Sequence, residues 1–210
     1  MNRKLVFSVL GAAALSCAAI EFITTSELPP PDKTGGKPLM QCLTERKSTR
    51  EFDGTKRLDA QTLSDLLYAA WGVNRPDGKH TAPTAMNRQA VEVFVLLPNG
   101  VFHFNPTNHS LEKISEEDAR AQAGPQPMHA NAAAIVVMVS DDDKQSNAGY
   151  AAFEAGCVSQ NISLFCASEG LGTVVVARFN REALDKILKL PKTWSIQMVQ
   201  PVGFPNRNTP

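Results

Sequence analysis

The stretch that decides the fold is Glu45-Arg46-Lys47-Ser48-Thr49-Arg50-Glu51-Phe52. It follows a short apolar run that predicts one or two helical turns. In an extended backbone the side chains alternate, so Arg46, Ser48 and Arg50 would lie on one face. Guanidinium groups present planar forks of donors, and with a hydroxyl group they suit a phosphate and electron-rich ring atoms. The segment is therefore either a phosphate- and ring-binding site or a solvated basic stretch near a domain edge.

Four segments in order favour the first interpretation. Arg-Lys-Ser-Thr-Arg-Glu-Phe resembles the Arg-Arg-Ser-x-Arg-x-Phe opening of the FMN-dependent nitroreductase family. The other three are similar to the family's Pro-Ser-x-x-Asn-x-Gln loop, its central helix with a Gly-Leu-Gly-Thr turn, and its Val-Gly-Tyr-Pro segment. They are Pro83-Thr84-Ala85-Met86-Asn87-Arg88-Gln89, then Gly156 to Leu164 with Gly170-Leu171-Gly172-Thr173, and last Val202-Gly203-Phe204-Pro205.

The resemblance implies a role for each matching position. Arg46 and Ser48 would hold the phosphate and ribityl oxygens of FMN, and Lys47 would contribute through its backbone or as a charge at the rim. Arg50 would lie at the N1/O2 edge of the ring, where a cation favours the anionic reduced flavin. Asn87 would read the pyrimidine edge, because an amide both donates and accepts.

The remaining cofactor-binding positions follow from the same resemblance. They are Pro83, Thr84, Gln89, Leu171, Gly172, Ala177, Arg178 and Arg207. Relatives often carry Glu-Gly or Gly-Gly where this chain has Ala177-Arg178, beside the backbone N–H that points at flavin N5. Arg178 departs from that pattern and would add a charge beside the substrate. Arg207 is either a second phosphate cation or a charge at a frayed C-terminus.

Two further segments are similar to the branch that includes azoline-oxidising dehydrogenases, which aromatise thiazoline and oxazoline rings in peptides. They are Leu67 to Val73, and Val101 to Pro106 with Leu111. That branch usually has Tyr-Pro where this chain has Gln89-Ala90.

Local patterns predict the elements. Asp59 should cap a helix over 60–71 that ends at Gly72. A hairpin with an Asn99-Gly100 turn should follow the loop around Asn87. The other predicted elements are strands at 133–140, 173–176 and 196–202, a helix at 149–169 that ends at Gly170, and a helix at 181–190 capped by Asn180. These elements predict an α+β domain with a mostly antiparallel sheet flanked by helices, in agreement with the sandwich that the resemblance implies.

The helix at 149–169 is apolar or small on most faces, more than one side of a small sheet can cover. The resemblance implies an obligate homodimer in which both subunits build each flavin site. We therefore expect this helix at a tight symmetric interface burying well over ~2,000 Å². Phe153, Val158, Ile162 and Phe165 are expected to supply core or interface contacts.

The first residues have the layout of a secretory signal. Arg3 and Lys4 precede an apolar core, and small residues follow, with a cleavage site after Ala18 or Ala19. The alternative is a lipoprotein in which Cys17 is lipidated, and this is the one route to membrane attachment that the sequence offers. Three organisational units follow from this interpretation. They are a signal peptide at 1–19, a Pro/Gly-rich tether at 20–37 and an FMN-binding domain at 38–210, exported and located in the periplasm.

Composition excludes several classes of function. The chain has 210 residues, with 21 basic and 21 acidic side chains, so it lacks the net positive charge that is typical of proteins that bind nucleic acid. The sequence contains no Cys or His cluster with metal-ligand spacing, and we assign no metal.

The leading hypothesis is a homodimeric FMN oxidoreductase that transfers hydride by a ping-pong mechanism. NADH, NADPH or another reduced donor would supply the hydride, and a nitroaromatic, a quinone or a similar small molecule would accept it. The alternatives are a non-catalytic exported module that binds flavin or a partner, and a peptide azoline dehydrogenase.

Overall fold

The computed structural model describes residues 27–206. It consists of a six-stranded antiparallel sheet in the order β3-β2-β1-β4-β6-β5, flanked by helices. The strands are β1 (Val91–Leu97), β2 (Gly100–Asn105), β3 (Ser110–Ser115), β4 (Ala134–Asp141), β5 (Gly172–Thr173) and β6 (Trp194–Gly203). The helices are α1 (Leu39–Glu45), α2 (Ala60–Trp71), α3 (Met128–Asn131), α4 (Ala148–Glu169) and α5 (Arg181–Leu188). The predicted α+β sandwich is confirmed.

Helix boundaries coincide with local capping signals. The Asp59 carboxylate accepts a hydrogen bond from Thr62 N at 2.7 Å, and α2 ends at Gly72. The amide oxygen of Asn147 accepts from Gly149 N and Tyr150 N at the start of α4, and Gly170 ends that helix in the left-handed region at φ 70°. Such caps satisfy backbone groups that the first and last helical turns leave without partners.

The two faces of the sheet bury separate hydrophobic clusters. One face presents Val93, Val95 and Val136 to α2 and α4, with Leu63, Leu66 and Ile162 among the helical contacts. The opposite face presents residues such as Phe94, Ile135 and Val137 to the elements that include α5 and a one-turn 3₁₀ helix at Arg120–Ala123. β1 and β4 lie in the middle of the sheet and are almost wholly buried, as strands covered on both faces should be.

Helix α4 has a buried face and an exposed face. Val158 and Ile162 are 0% exposed and belong to the core of this chain, so they are not free to form an intersubunit contact. Phe165 is partly buried against the same core. Phe153 and Tyr150 are 60% and 47% exposed at the N-terminal end of the helix. The expected interface contacts of α4 are therefore restricted to its N-terminal half and its outer face.

The segment expected to be a tether differs from that expectation over residues 27–37. Leu28 is buried in the core, and Pro29 O accepts a hydrogen bond from Ser64 Oγ at 2.6 Å. Lys37 N donates to Ser168 Oγ at 2.8 Å, which attaches the same segment to α4. The folded part thus includes residues 27–37 and does not begin near Pro38. Residues 20–26 of the proposed tether and the whole signal peptide at 1–19 lie outside the described residues.

Three other local differences concern weakly patterned segments. The strand predicted at 173–176 is reduced to β5, and Val176 forms only an isolated bridge to Val199. The sequence pattern did not predict β3 or α3. Asp141, one residue beyond the strand predicted at 133–140, is the mostly buried last residue of β4. No helix within 27–206 is long and apolar enough to cross a membrane.

Candidate functional site

The basic segment lies directly against the turn that follows α4. Thr49 N donates to Thr173 O at 2.9 Å, and Ser48 forms a parallel bridge with Thr173. A Cβ atom on Gly172 would lie 2.7 Å from Thr49 Cγ2, closer than real Cβ contacts allow. Gly172 is therefore required by close approach, and the first and third sequence motifs are brought together by backbone pairing.

The fourth motif completes this arrangement. Phe52 bridges Pro205, and Asp53 N donates to Phe204 O at 2.9 Å. Asn206 N also donates to Glu51 O at 3.0 Å. The basic segment is thus held on one side by β5 and on the other by the chain that leaves β6.

A cleft of about 330 Å³ opens beside this junction. Its lining residues come from the chain before α1, the end of α1, the basic segment, α4, the turn after it and the chain that leaves β6. They are Lys37, Glu45, Arg46, Lys47, Thr49, Ser163, Cys166, Ala167, Gly170, Leu171, Thr173 and Pro205. Arg50 does not line this cleft. It lines a neighbouring cavity of about 550 Å³ together with Phe52, Gln126, Met128 and Asn206, among others. Both volumes lie in the range of small-molecule sites.

The cations of the basic segment have no acidic partner within residues 27–206. Arg46, Lys47 and Arg50 are exposed, and none of them forms an ion pair or a side-chain hydrogen bond in the described part of the chain. Ser48 is also exposed. Three like charges within five residues of one segment repel one another, so the segment favours a nearby anion. Lys37 differs, because its ammonium group bonds Glu45 Oε2 at 2.6 Å and Ala167 O at 3.0 Å.

The loop containing Asn87 has an unusual backbone. Met86, Asn87 and Gln89 have φ values of 52°, 54° and 48°, in the left-handed region that non-glycine residues rarely adopt. Thr84 stabilises the loop from within, because its hydroxyl accepts from Gln89 N at 3.3 Å. The Asn87 and Pro83 side chains are exposed. Several strained residues in one loop are typical of functional segments.

The two halves of the expected site lie at opposite ends of α4. The Asn87 loop is held by Glu154 near the start of that helix, since Ala85 N donates to Glu154 Oε1 at 2.8 Å. The basic segment faces Ser163 and Cys166 near its end. Twelve residues of α-helix separate Glu154 from Cys166, which corresponds to about 18 Å. The Asn87 loop and the cleft beside Arg46 therefore contact α4 at points about 18 Å apart along its axis.

The remaining expected positions lie beyond β5. Ala177 and Arg178 are exposed and follow Val176, whose backbone pairs with Val199. Arg178 makes no ion pair within the described residues. Arg207 lies outside the described residues.

The titratable groups of the cleft do not form a nucleophile. Burial raises the pKa of the Cys166 thiol, so it stays protonated and poorly nucleophilic. Hydrogen bonds from Lys37 and Gln41 lower the pKa of the exposed Glu45 carboxyl. No group of His, Cys, Asp or Glu side chains within 27–206 could hold a metal ion.

Sequence reasoning missed some of the residues that line the cleft. Lys37 was assigned to the tether, and only the packing of 27–37 on α4 places it in the site. Thr49 was treated as a variable motif position, although its contact with Gly172 fixes the segment. The sequence pattern placed Ser163 and Cys166 in a helix but gave no indication that they line a cleft.

Comparisons with known proteins define the class. The nitroreductase family model matches residues 43–204, so the chain belongs to the nitroreductase family. A protein of Methanocaldococcus jannaschii assigned as a nitroreductase is 31% identical over 181 residues, covering 79% of this chain and 90% of that protein.

Solved structures agree with the family assignment. A crystal structure from Ralstonia eutropha JMP134, also assigned as a nitroreductase, has a TM-score of 0.81 and 33% identity, and the match covers 99% of this chain and 100% of that one. A structure from Desulfovibrio desulfuricans, determined in complex with FMN, has a TM-score of 0.62 and 18% identity over 84% of this chain and 91% of its own. At that identity the second likeness shows the fold alone.

Proposed function

We propose that this nitroreductase-family oxidoreductase is FMN-dependent, and that it transfers hydride from a reduced donor to a small acceptor by a ping-pong mechanism. The observation that carries the proposal is the set of exposed cations Arg46, Lys47 and Arg50, which form no ion pair within residues 27–206, on a segment that Thr49 attaches to the Gly172 turn. A structural neighbour from Desulfovibrio desulfuricans was solved with FMN, which supports the same cofactor here.

The donor set fits FMN in chemical terms. Arg46 and Ser48 would bind the phosphate and ribityl oxygens, because a guanidinium group binds phosphate oxygens through paired N–H donors. Lys47 would add a charge at the rim, and Gly172 leaves the backbone free of a Cβ where the segment and the turn meet. Arg50, four residues beyond Arg46, would lie at the ring edge. When bound, FMN supplies the hydride chemistry itself.

The other positions complete the proposed site. Asn87 would contact the pyrimidine edge of the flavin, presented by the loop that includes Pro83, Thr84 and Gln89. Ala177 with Arg178 would line the edge of the ring near N5, and Leu171 with Gly172 would contact the cofactor from the turn after α4. Arg207 would add a second phosphate cation.

We further propose that a symmetric homodimer builds each site from both chains. The Asn87 loop and the basic segment lie beside opposite ends of α4, near Glu154 and Cys166 respectively, and this supports the proposal. In a dimer that pairs the outer faces of α4 in opposite directions, the loop of one protomer would approach the basic segment of its partner. The exposed Met86 and Phe153 side chains would then be covered.

The visible spectrum of the purified protein tests the cofactor. We expect FMN to copurify or to bind at micromolar concentration, and we expect Arg46→Ala to weaken binding about 10- to 100-fold, as loss of a charge-assisted hydrogen bond should. Lys186→Ala on α5 is the matched control, since its exposed cation forms an ion pair with Glu182, far along the chain from the basic segment. A folded wild-type protein that binds no FMN would refute the proposal.

Stopped-flow measurements then separate an enzyme from a flavin-retaining module. We expect NADH, NADPH or a quinol to bleach bound FMN within seconds, and a nitroaromatic or quinone to restore its colour. Absence of bleaching with every donor would support a non-catalytic role instead. A peptide azoline in the same assay tests whether the chain shares the activity of the azoline-oxidising branch.

We also propose that the chain is exported, from the signal-like residues 1–19. The mass of the mature protein from its native host tests this directly. An N-terminus at Ala19 or Ile20 would support cleavage after Ala18 or Ala19, and a lipid adduct on Cys17 would support anchoring at a membrane. A cytoplasmic chain that keeps Met1 or Asn2 would contradict both.

A further inference from the structure

A buried carboxylate on α4 holds the Asn87 loop from beneath. Glu154 is 0% exposed, and its Oε1 atom accepts from Ala85 N at 2.8 Å and from Gln145 Nε2 at 3.5 Å. Its other oxygen, Oε2, is buried without a hydrogen-bond partner in the described residues. A buried carboxylate with an unpaired oxygen is costly, so the core gains little from Glu154 as a packing residue.

The carboxylate belongs to a short chain of polar contacts. Gln145 is 1% exposed, and its Oε1 atom accepts from Asn147 N at 3.2 Å, while Asn147 caps the start of α4. The loop is therefore attached to the N-terminal end of the helix through Glu154 and Gln145. These contacts connect a rigid element with a loop that otherwise exposes most of its side chains.

The loop needs such an attachment because its backbone is unfavourable. Met86, Asn87 and Gln89 all adopt left-handed φ values, and such conformations persist only where the surroundings enforce them. The hydrogen bond to Glu154 is made at Ala85, the residue directly before this run. Removing it would let the loop relax and would move Asn87.

We propose that Glu154 is a positioning residue that fixes the Asn87 loop for flavin binding. This rests on the proposed function, since Asn87 is the group that would contact the ring. Glu154 acts through the Ala85 amide and touches neither flavin nor substrate. It differs in this from the cations of the basic segment, which would contact FMN directly.

The test compares three variants of one hydrogen bond. Glu154→Leu removes the acceptor, and Glu154→Gln keeps an oxygen that can accept from Ala85 N. Ala85→Pro removes the donor instead, and the extended backbone of Thr84, at φ −131° and ψ 145°, is compatible with a following proline. Glu112→Leu, an exposed position on β3, is the control for the same change away from the loop.

We expect Glu154→Leu and Ala85→Pro to weaken FMN binding on the order of tenfold, and Glu154→Gln to restore most of it. In a double-mutant cycle, Glu154→Leu and Asn87→Ala should be strongly non-additive, because both remove the same ring contact. Additive effects, or no rescue by glutamine, would mean that Glu154 is merely structural and would overturn the inference. If Glu154→Leu does not fold, Ala85→Pro decides by the same cycle.

Hydrogen exchange of the Ala85 amide gives a readout that needs no flavin. We expect it to be protected in the apo wild type and in Glu154→Gln, and to exchange at least about tenfold faster in Glu154→Leu. Equal exchange in all three would overturn the inference even if FMN binds. If the wild type binds no FMN but this amide loses its protection, the cofactor proposal fails while the attachment itself stands.

Discussion

Thr49 and Gly172 are in direct contact across two motifs that are more than a hundred residues apart in the chain. The Thr49 amide donates to Thr173 O at 2.9 Å, and a Cβ on Gly172 would meet both Cγ2 and Cβ of Thr49 at 2.7 and 2.8 Å. The contact joins the basic segment to the turn after α4. The positions of Arg46 and Arg50 on either side of Thr49 therefore depend on the lack of a Cβ atom at Gly172.

The first prediction concerns that contact. Gly172→Ala should displace the basic segment by several tenths of an ångström or more, because the new Cβ would collide with Thr49. The displaced cations would no longer meet the phosphate in the right geometry, so we expect FMN binding to weaken about 10-fold or more. Isothermal titration with FMN measures it. Gly100→Ala is the matched control, because its Cβ would also collide, with Ser115 O at 2.5 Å, but in the β1–β2 turn. Equal FMN affinity for both variants would show that the contact does not set the site.

The second prediction concerns pH and the stacked pair Trp71–His80. The rings lie 3.9 Å apart between centroids, and His80 Nδ1 is 2.8 Å from Trp71 O. Burial lowers the pKa of His80 below its ordinary 6.5, and the hydrogen bond to Trp71 only partly opposes this. Between the pKa of His80 in the folded protein and 6.5, the unfolded chain binds more protons than the folded one. The contribution of neutral His80 to the free energy of unfolding is therefore fully present above pH 6.5 and is lost as the pH falls through the folded pKa.

His80→Asn should therefore flatten the pH dependence of unfolding. The amide can still donate to Trp71 O but does not titrate, so the slope of unfolding free energy below pH ~6.5 should fall by a fraction of the one-proton limit of about 1.4 kcal/mol per pH unit. Urea unfolding at several pH values measures this. Between about pH 7 and 8 the slopes of wild type and variant should agree, since the histidine is neutral in both states. An unchanged slope below pH ~6.5 would contradict a lowered pKa of His80 in the folded protein.

Elements with strong local signals could be predicted from the sequence. The bounds of α2 follow from the Asp59 cap, the apolar periodicity and Gly72, and α4 begins one residue before the predicted start. β3 was missed because it is an edge strand whose polar residues mask the alternation. Residues 27–37 were misjudged because proline and glycine indicate a linker, whereas Leu28 and Pro29 are held by tertiary contacts with the rest of the domain.

The site was predicted as a set of residues and not as an arrangement. Local spacing alone indicates that Arg46, Ser48 and Arg50 share an extended segment. It could not show that Asn87 lies at the other end of α4, because that separation depends on how the loop packs on Glu154. Glu154 itself carried no signal, since a carboxylate in a helix is most often a solvated residue.

The third prediction concerns Arg50 and the redox balance of the flavin. A cation near N1 should favour the anionic reduced form, so Arg50→Ala should lower the midpoint potential of bound FMN by roughly 10–30 mV, where about 30 mV corresponds to tenfold for a two-electron couple. Spectroelectrochemistry measures the shift. Lys47→Ala is the matched control, because it removes the same charge at the proposed rim. Equal shifts in both variants would remove Arg50 from the ring edge.

The fourth prediction concerns assembly through the outer face of α4. Phe153 is 60% exposed in one chain, so Phe153→Asp should leave the isolated fold intact but place an unpaired charge in the proposed interface. We expect a shift from dimer to monomer at micromolar concentration, measured by analytical ultracentrifugation, with loss of FMN. Gln122→Asp, exposed on the 3₁₀ helix beside α5, is the control. A Phe153→Asp dimer with normal FMN binding would exclude this face.

The last prediction tests whether each site takes its cations from one chain and its Asn87 loop from the other. Arg46→Ala and Asn87→Ala homodimers should each bind FMN poorly. In a heterodimer of the two variants, one site would combine both substitutions and the other would receive Arg46 and Asn87 unchanged. Differently tagged chains can be coexpressed and the heterodimer isolated by two affinity steps.

We expect that heterodimer to bind one FMN per two chains with wild-type affinity, and to recover about half of any reductase activity. If instead both groups of a site come from the same chain, each site in the heterodimer carries one substitution and neither binds normally. The control is a heterodimer of the Arg46→Ala,Asn87→Ala double variant with a wild-type chain. If each site is built from both chains, neither site of this heterodimer is intact. If each site is built from one chain, the site of the wild-type chain is intact. The two pairings thus give opposite outcomes under the two arrangements, and stoichiometric FMN binding alone distinguishes them.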